Sequence, residues 1–147
     1  MSPQDQAAVQ ELIDGLNEDL AHEYTAVIQY IQNAAKVSGL GRPVLKPLFE
    51  REAQDEINHA LYLANKIVTL GGEPVVKLFE VKQTGDIREM IQASIDAEID
   101  TIRRYKERIE QAERAGEVAL RMKLEEMLAE ETEHKEELER LPQDPRL

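Results

Sequence analysis

The 147-residue sequence contains no cysteine, which excludes disulfide bonds, iron–sulfur clusters, zinc–thiolate sites and cysteine nucleophiles. It has no tryptophan, two phenylalanines and four tyrosines, and it is rich in residues that favour helices. No apolar run approaches membrane length, and the start "MSPQDQAAVQ" lacks the basic and apolar regions of a signal peptide. We therefore expect a cytoplasmic protein with no membrane partner.

Basic residues are scarce relative to acidic ones, with 18 against 30 and a formal net charge of −12. A surface of this charge repels nucleic acid and anionic membranes and attracts cations. Many helical proteins carry a solvated acidic surface, so the charge alone is weak support for cation binding. It does lead us to expect no nucleic-acid partner.

Four helices are predicted in a single domain over residues 1–147. They cover about residues 3–37, 44–70, 86–114 and 117–141. Short links within the first and second pairs predict antiparallel neighbours, whereas the longer segment 71–85 permits a crossover along the bundle. The tail 142–147 is predicted to be irregular. The predicted fold is all-α, an antiparallel four-helix bundle with one long crossover between the second and third helices.

Each predicted helix has an inward apolar seam that is interrupted near its middle by one glutamate. The interrupting residues are Glu23, Glu56, Glu98 and Glu131, and the second and fourth helices add His59 and His134 three residues later. A spacing of 75 residues relates Glu23 to Glu98, Glu56 to Glu131 and His59 to His134. The halves therefore resemble two copies of one helical hairpin, whose packing would bring four carboxylates and two imidazoles to one level.

Such a cluster is costly to bury unless protons or cations neutralise it. Four carboxylates and two neutral imidazoles suit two divalent cations, and oxygen and nitrogen ligands without sulfur favour iron or manganese, with zinc as a competitor. The candidate metal ligands are Glu23, Glu56, His59, Glu98, Glu131 and His134. Taken alone, the Glu131-x-x-His134 motif is more typical of a solvated charged face, because its surroundings are very acidic. Taken alone, the Glu56-x-x-His59 motif is more typical of a core histidine that is hydrogen-bonded to glutamate.

Further polar residues near these seams have candidate supporting roles. Asp55 and Glu130 each lie four residues before a candidate histidine. They are candidates to accept the other ring N–H of a histidine, either the one on the same helix or the one in the opposite half. Tyr30 and Tyr105, also 75 residues apart, are core aromatics first, and hydrogen-bond partners or one-electron donors second. For Glu52, one turn before Glu56, a salt bridge at the rim is favoured over a secondary cation site.

From about Leu12 to Leu141 the sequence resembles the di-iron carboxylate proteins of the ferritin-like superfamily, and is most similar to bacterioferritins. The segment "NEDLAHEYTAVIQY" and the paired Glu-x-x-His motifs carry this resemblance. It implies a ferritin-like bundle that binds two iron ions, with Glu56 and Glu131 as bridges. It also implies a ferroxidase-type oxidoreductase that oxidises Fe(II) with O₂ or H₂O₂.

The sequence departs from its relatives at several positions. Ile57 occupies the position of the methionine that ligates haem in bacterioferritins, so we expect no haem. The short fifth helix of 24-subunit cages is not expected, which leaves cage assembly open. Rubrerythrins have an extra glutamate where this chain has Ile95, and many also carry a cysteine-rich domain. We expect a homo-oligomer, at least a dimer, whose interface is partly covered by "VVKLFEV".

Three other functions stay open at this point. The same site could serve a rubrerythrin-like peroxide reductase. The paired tyrosines support this function, whereas Ile95 argues against it because rubrerythrins have a glutamate at that position. Iron storage requires a hollow oligomer. A metal-free helical interaction protein, with a vestigial polar cluster, would bind no metal at all.

Overall fold

The computed structural model of the chain describes residues 1–146, and these form a bundle of four long helices without β-strands. The helices are α1 (Pro3–Lys36), α2 (Arg42–Thr69), α3 (Ile87–Arg114) and α4 (Val118–Arg140). The predicted all-α bundle with one long crossover is confirmed. A short 3₁₀ turn, Leu141–Gln143, follows α4 within the tail that was predicted to be irregular. Leu147, also in that predicted tail, lies outside the described residues.

Local capping groups define where the helices begin and end. The Ser2 hydroxyl accepts a hydrogen bond from the Asp5 amide, and the Asp5 carboxylate accepts one from the Ser2 amide. The Asp86 carboxylate likewise accepts a hydrogen bond from the Glu89 amide at the start of α3. After α2 the chain turns at Gly71, whose φ of 94° is a left-handed conformation that glycine adopts without steric cost.

The crossover between α2 and α3 runs alongside α1 and is attached to it by side-chain hydrogen bonds. Asn17 donates to the Glu73 carbonyl over 3.0 Å and accepts from the Val75 amide over 2.9 Å. Nearer the other end, the Thr25 hydroxyl accepts from the Phe79 amide over 2.9 Å. The crossover therefore follows α1 in the same direction, so α3 returns antiparallel to α1.

Two apolar clusters fill the two ends of the bundle. Cluster 1 consists of Leu12, Ile13, Leu16, Leu20, Ala60, Leu63, Ile67, Tyr105, Ala112, Leu120, Leu124 and Met127. Cluster 2 consists of Tyr30, Ala34, Val37, Leu45, Phe49, Ala53, Met90, Ile91, Ile95 and Leu138. Burial of apolar surface in both clusters is the main source of stability for such a fold. The clusters are separate, and the layer between them is polar.

The outer face of α1 and α2 has an apolar groove, which the crossover borders. Tyr24, Ile57 and Leu61 line it together with Val76 and Leu78 of the crossover. Leu61 is 65% exposed and Val76 is fully exposed.

Within residues 1–146, none of the helices combines the length and the apolar character that crossing a bilayer requires.

Candidate metal centre

All six predicted metal ligands meet in the middle of the bundle, between the two apolar clusters. They are Glu23 of α1, Glu56 and His59 of α2, Glu98 of α3, and Glu131 and His134 of α4. Five are at most 3% exposed, and the side chain of His134 is 12% exposed. The apolar periodicity of each helix turns its mid-helix glutamate inward, since the seam on either side of it must face the core.

The first group of potential ligand atoms surrounds His59. One ligand atom each from Glu23, Glu56, His59 and Glu131 lies within 4.8 Å of all the others. The Nδ1 atom of His59 is 3.1 Å from Oε1 of Glu131 and 3.6 Å from Oε2 of Glu56. Three carboxylates and one imidazole at this spacing can bind one divalent cation.

The second group surrounds His134 and includes a residue that was predicted elsewhere. Ligand atoms of Glu52, Glu56, Glu98 and His134 also lie within 4.8 Å of one another. Oε2 of Glu52 is 2.7 Å from Nδ1 of His134, and the Glu52 side chain is only 6% exposed. The rim position favoured for Glu52 is therefore wrong, since its carboxylate pairs with His134 inside the buried layer. Its step of four before Glu56 was the signal in the sequence, because that spacing returns a helix to the same face.

Glu56 belongs to both groups, so they overlap. Its Oε2 is 3.6 Å from Nδ1 of His59, and its Oε1 is 3.6 Å from Nδ1 of His134. Oε1 of Glu131 is 3.1 Å from Nδ1 of His59 and 3.8 Å from that of His134. One carboxylate from α2 and one from α4 thus lie between the two imidazoles.

The outer nitrogen of each histidine contacts a carboxylate of the opposite hairpin. Nε2 of His59 is 2.6 Å from Oε2 of Glu130, and Nε2 of His134 is 2.9 Å from Oδ2 of Asp55. A carboxylate at Nε2 favours the tautomer that carries its hydrogen there, which leaves the Nδ1 lone pair directed inward. Both imidazoles are thereby held in the orientation that a metal ligand needs.

The two tyrosines reach the same layer from opposite ends. The Tyr30 hydroxyl donates a hydrogen bond to Oε1 of Glu98 over 2.8 Å, and the Tyr105 hydroxyl donates one to Oε1 of Glu23. Both rings are otherwise packed in the apolar clusters. Each tyrosine therefore packs its ring in an apolar cluster and uses its hydroxyl group to orient one glutamate of the polar layer.

Several buried polar atoms of the layer have no hydrogen-bond partner among the described residues. They are Oε2 of Glu23, Oε2 of Glu52, Oε1 of Glu56, Nδ1 of His59, Oε2 of Glu98, Oε1 of Glu131 and Nδ1 of His134. Native proteins rarely leave such atoms unsatisfied, and each one costs stability. Carboxylate oxygens and imidazole nitrogens left unpaired in one volume suit divalent cations, so these side chains fit a two-metal centre.

Electrostatics make the layer hold protons when no metal is bound. Burial, followed by repulsion from neighbouring carboxylates, raises the pKa of Glu56, Glu98 and Glu131 well above the ordinary glutamate value. Burial acts to lower the imidazole pKa values, but the nearby carboxylates outweigh it. They raise the pKa of His59 to about 9 and that of His134 to about 10. A bound cation would displace these protons.

A buried ionic network next to this layer was not predicted. Asp19, one turn before Glu23, accepts hydrogen bonds from Nε and one terminal nitrogen of Arg108 over 2.8 and 3.2 Å. Nε of Arg104 is 3.4 Å from the same carboxylate. A β-carbon on Gly15 would lie only 1.9 Å from Arg108, so this glycine leaves the space for the guanidinium. Arginines beside a seam are usually surface residues, and the sequence carried no other signal.

Comparison with known proteins agrees with this geometry. The profile of the ferritin-like domain matches residues 13–147. The bacterioferritin of Streptomyces coelicolor is 33% identical over 130 residues, which are 88% of this chain and 78% of that protein. The bacterioferritin of Mycobacterium bovis is 30% identical over 125 residues, which are 84% of this chain and 79% of that protein.

Solved structures show the same architecture. A crystal structure of ferritin-like, diiron-carboxylate proteins from Bacillus anthracis str. Ames has a TM-score of 0.90 and 55% identity, covering 96% of this chain and 99% of that one. The Desulfovibrio desulfuricans bacterioferritin has a TM-score of 0.88 over 95% of this chain and 82% of its own, and its 23% identity shows the fold alone. The predicted resemblance is confirmed, and the chain belongs to the ferritin-like family.

Proposed function

We propose that this chain is a di-iron protein that oxidises Fe(II) with O₂ or H₂O₂, and so takes part in iron handling. The observation that carries the proposal is the pair of overlapping ligand groups, each with a histidine, that share Glu56 in the core. The bacterioferritin names of its relatives and the diiron-carboxylate description of its B. anthracis neighbour support the same conclusion.

The proposed ligands divide between two metal positions. Glu23 and His59 would hold one ion, and Glu98 and His134 would hold the other, with Glu56 and Glu131 as bridges. The near-equal distances from Glu56 to the two imidazoles support its bridging role. Carboxylates and imidazoles accommodate iron, while manganese or zinc can compete for the same ligands.

Bound iron would supply the redox chemistry, one electron from each ferrous ion to the oxidant. The protein side chains would hold the metal ions and orient the residues that bind them. Asp55 and Glu130 would fix the two histidines, and Tyr30 and Tyr105 would orient Glu98 and Glu23 through their hydroxyl groups. The apolar clusters on both sides would exclude water from the centre. One-electron donation by either tyrosine stays an alternative to this positioning role.

We also propose that the protein forms a homo-oligomer, at least a dimer, through the apolar groove on α1 and α2. Exposed apolar side chains that line one groove, such as Leu61 and Val76, are typical of protein–protein interfaces. Ile57, which lines this groove, occupies the position of the haem-ligating methionine of bacterioferritins. The expected absence of haem stays a prediction. A cytoplasmic location, and the lack of nucleic-acid and membrane partners, also stay predictions.

The proposal is tested by stopped-flow oxidation of Fe(II) in the wild-type protein and in the Glu56→Ala variant. Loss of a ligand shared by both positions should slow the reaction by roughly 100-fold or more, since even supporting residues of metal sites contribute 10–100-fold. Glu50→Ala is the matched control, because this glutamate lies on the same helix with its side chain 55% exposed. Equal rates in wild type and Glu56→Ala would refute the ferroxidase function.

Four further measurements separate the alternatives: turnover with each oxidant, particle size, metal content and melting temperature. Turnover with H₂O₂ much faster than with O₂ would favour a peroxide reductase. A hollow particle seen by sedimentation would favour iron storage, and dimers alone would exclude it. A protein purified without metal, whose melting temperature does not rise with Fe(II) or Mn(II), would favour the metal-free interaction protein.

A further inference from the structure

The two hairpins of the bundle differ at several positions near the polar layer, and one of these differences adds a carboxylate that faces an imidazole. The 75-residue repeat pairs identical residues at the six candidate ligands, but it pairs Glu52 of α2 with Met127 of α4. Met127 is fully buried and belongs to cluster 1. The α1–α2 hairpin therefore supplies an additional carboxylate that the other hairpin replaces with an apolar side chain.

This additional carboxylate is directed at one imidazole only. Oε2 of Glu52 is 2.7 Å from Nδ1 of His134, and no other ion pair of Glu52 occurs within residues 1–146. The residue is 5% exposed, and neither Oε2 nor the facing Nδ1 has a hydrogen-bond partner in that part of the chain. Because Nε2 of His134 faces Asp55, the neutral imidazole that a metal requires carries its hydrogen on Nε2 and leaves Nδ1 as an acceptor.

Two acceptors at this separation repel each other unless a proton or a cation lies between them. Glu98 and Glu56, whose oxygens lie within the same 4.8 Å group, add further negative charge. A cation attracted to all four side chains would remove this repulsion and also satisfy the unpaired oxygens. At His59 the corresponding group contains only the carboxylates expected from the repeat.

We propose that Glu52 is a seventh metal-binding side chain, which makes the two metal positions unequal. The position at His134 then has one more anionic oxygen ligand than the position at His59, so it binds a divalent cation more tightly and fills first. Greater exposure of His134 than of His59, 12% against 3%, gives this position the shorter access from solvent. The inference rests on the proposed two-metal centre.

The test is a titration of the full-length metal-free protein with Co(II), followed by visible absorption and by calorimetry. Wild type is expected to bind two Co(II) ions in two resolved steps. Glu52→Met introduces the residue that the repeat has at Met127, and Glu52→Gln keeps the side-chain shape. In both variants the tighter step should weaken at least tenfold, with two ions still bound. Glu50→Gln, the matched control for charge on the same helix, should behave as wild type.

The outcomes separate this inference from the proposed function. If wild type binds no Co(II), the two-metal centre fails and Glu52 has no metal to bind. If wild type binds two ions and both Glu52 variants keep the wild-type affinities, only the role of Glu52 is overturned. Wild-type binding in a single unresolved step would also overturn it. Thermal melts of the metal-free variants confirm that they fold.

Discussion

The apolar clusters at the ends of the bundle can be compared with the polar layer between them, since both use the inward face of the same four helices. At the ends, burial removes apolar side chains from water and stabilises the fold. In the middle, burial removes carboxylates and imidazoles from water, which costs free energy that only protons or cations offset. The ends therefore stabilise the fold, whereas the middle costs stability in the metal-free chain and matches the proposed metal centre.

The boundary between cluster 1 and the polar layer is where we expect the largest effect on stability. The Asp19→Ala variant would remove the carboxylate that faces Arg104 and Arg108 and leave both guanidinium groups buried. Breaking a buried ion pair in this way costs about 3–5 kcal/mol. Urea unfolding of the metal-free protein measures the loss. Ser94→Ala, at the equivalent buried position 75 residues later, is the control and should lose at most about 1.5 kcal/mol. Similar losses for the two variants would contradict the role given to Asp19.

Substitutions in cluster 1 and in the polar layer are expected to have opposite effects on stability and on metal affinity. Leu124→Ala, in fully buried cluster 1, should lose about 2–5 kcal/mol of unfolding free energy and keep its affinity for Co(II). Glu98→Gln should do the reverse, with weaker Co(II) binding and no loss of metal-free stability. Urea unfolding and Co(II) titration of both variants test this. A Glu98→Gln variant that unfolds more easily and binds metal normally would overturn the comparison.

The metal-free protein is expected to lose stability as the pH rises. Neighbouring carboxylates outweigh burial and raise the pKa of His59 to about 9 and that of His134 to about 10, against 6.5 for an ordinary histidine. Above pH 6.5 the folded chain therefore holds more protons than the unfolded chain. Its free energy of unfolding decreases as the pH rises. The imidazole contribution is complete below about pH 6.5 and is lost as the pH rises through about 9 to 10.

The raised pKa values of Glu56, Glu98 and Glu131 act in the same direction, because these carboxyl groups also hold protons longer in the folded chain. Thermal melts of the metal-free protein between about pH 6 and pH 9 measure the effect. The protein loaded with Mn(II), whose ligands have already lost their protons, serves as the control and should show a smaller dependence. A metal-free melting temperature that rises over this range would contradict the assignment.

The smallest effect is expected for the tyrosines that link the ends to the middle. Tyr30→Phe removes the hydrogen bond to Glu98 and should cost about 1–2 kcal/mol in the metal-free protein. Tyr105→Phe, which removes the equivalent hydrogen bond to Glu23, should cost a similar amount. With a positioning role, Fe(II) oxidation should slow less than about tenfold in either variant. A much larger decrease in stopped-flow rate would instead support one-electron donation.

The bundle and the gathering of the six candidate ligands were predictable because helical periodicity fixes which side chains share a face. Glu23 and Glu56 replace apolar residues of regular seams, so burial of the seam also buries them. The 75-residue repeat then predicted that both halves would contribute at the same level. Neither step required knowledge of how the helices are rotated relative to one another.

Other features of the centre depend on that rotation. Glu52 and Ala53 are neighbours on α2 and both are buried, Glu52 against His134 of α4. The periodicity of α2 alone does not decide which of the two faces the core. Arg108 lies beside a seam on α3, and only its approach to Asp19, 89 residues away, makes it a core residue. Local sequence patterns carry no information about such distant partners.

Spacing along the chain is enough to predict four amphipathic helices, one long connection and a repeated set of acidic and imidazole residues at mid-height. Only the packing of the helices places four carboxylates within 4.0 Å of Nδ1 of His134 and three within that distance of Nδ1 of His59. The same packing buries two arginines beside the layer. Burial and charge pairing depend on which helix faces which, and contacts between residues some 80 positions apart set that arrangement.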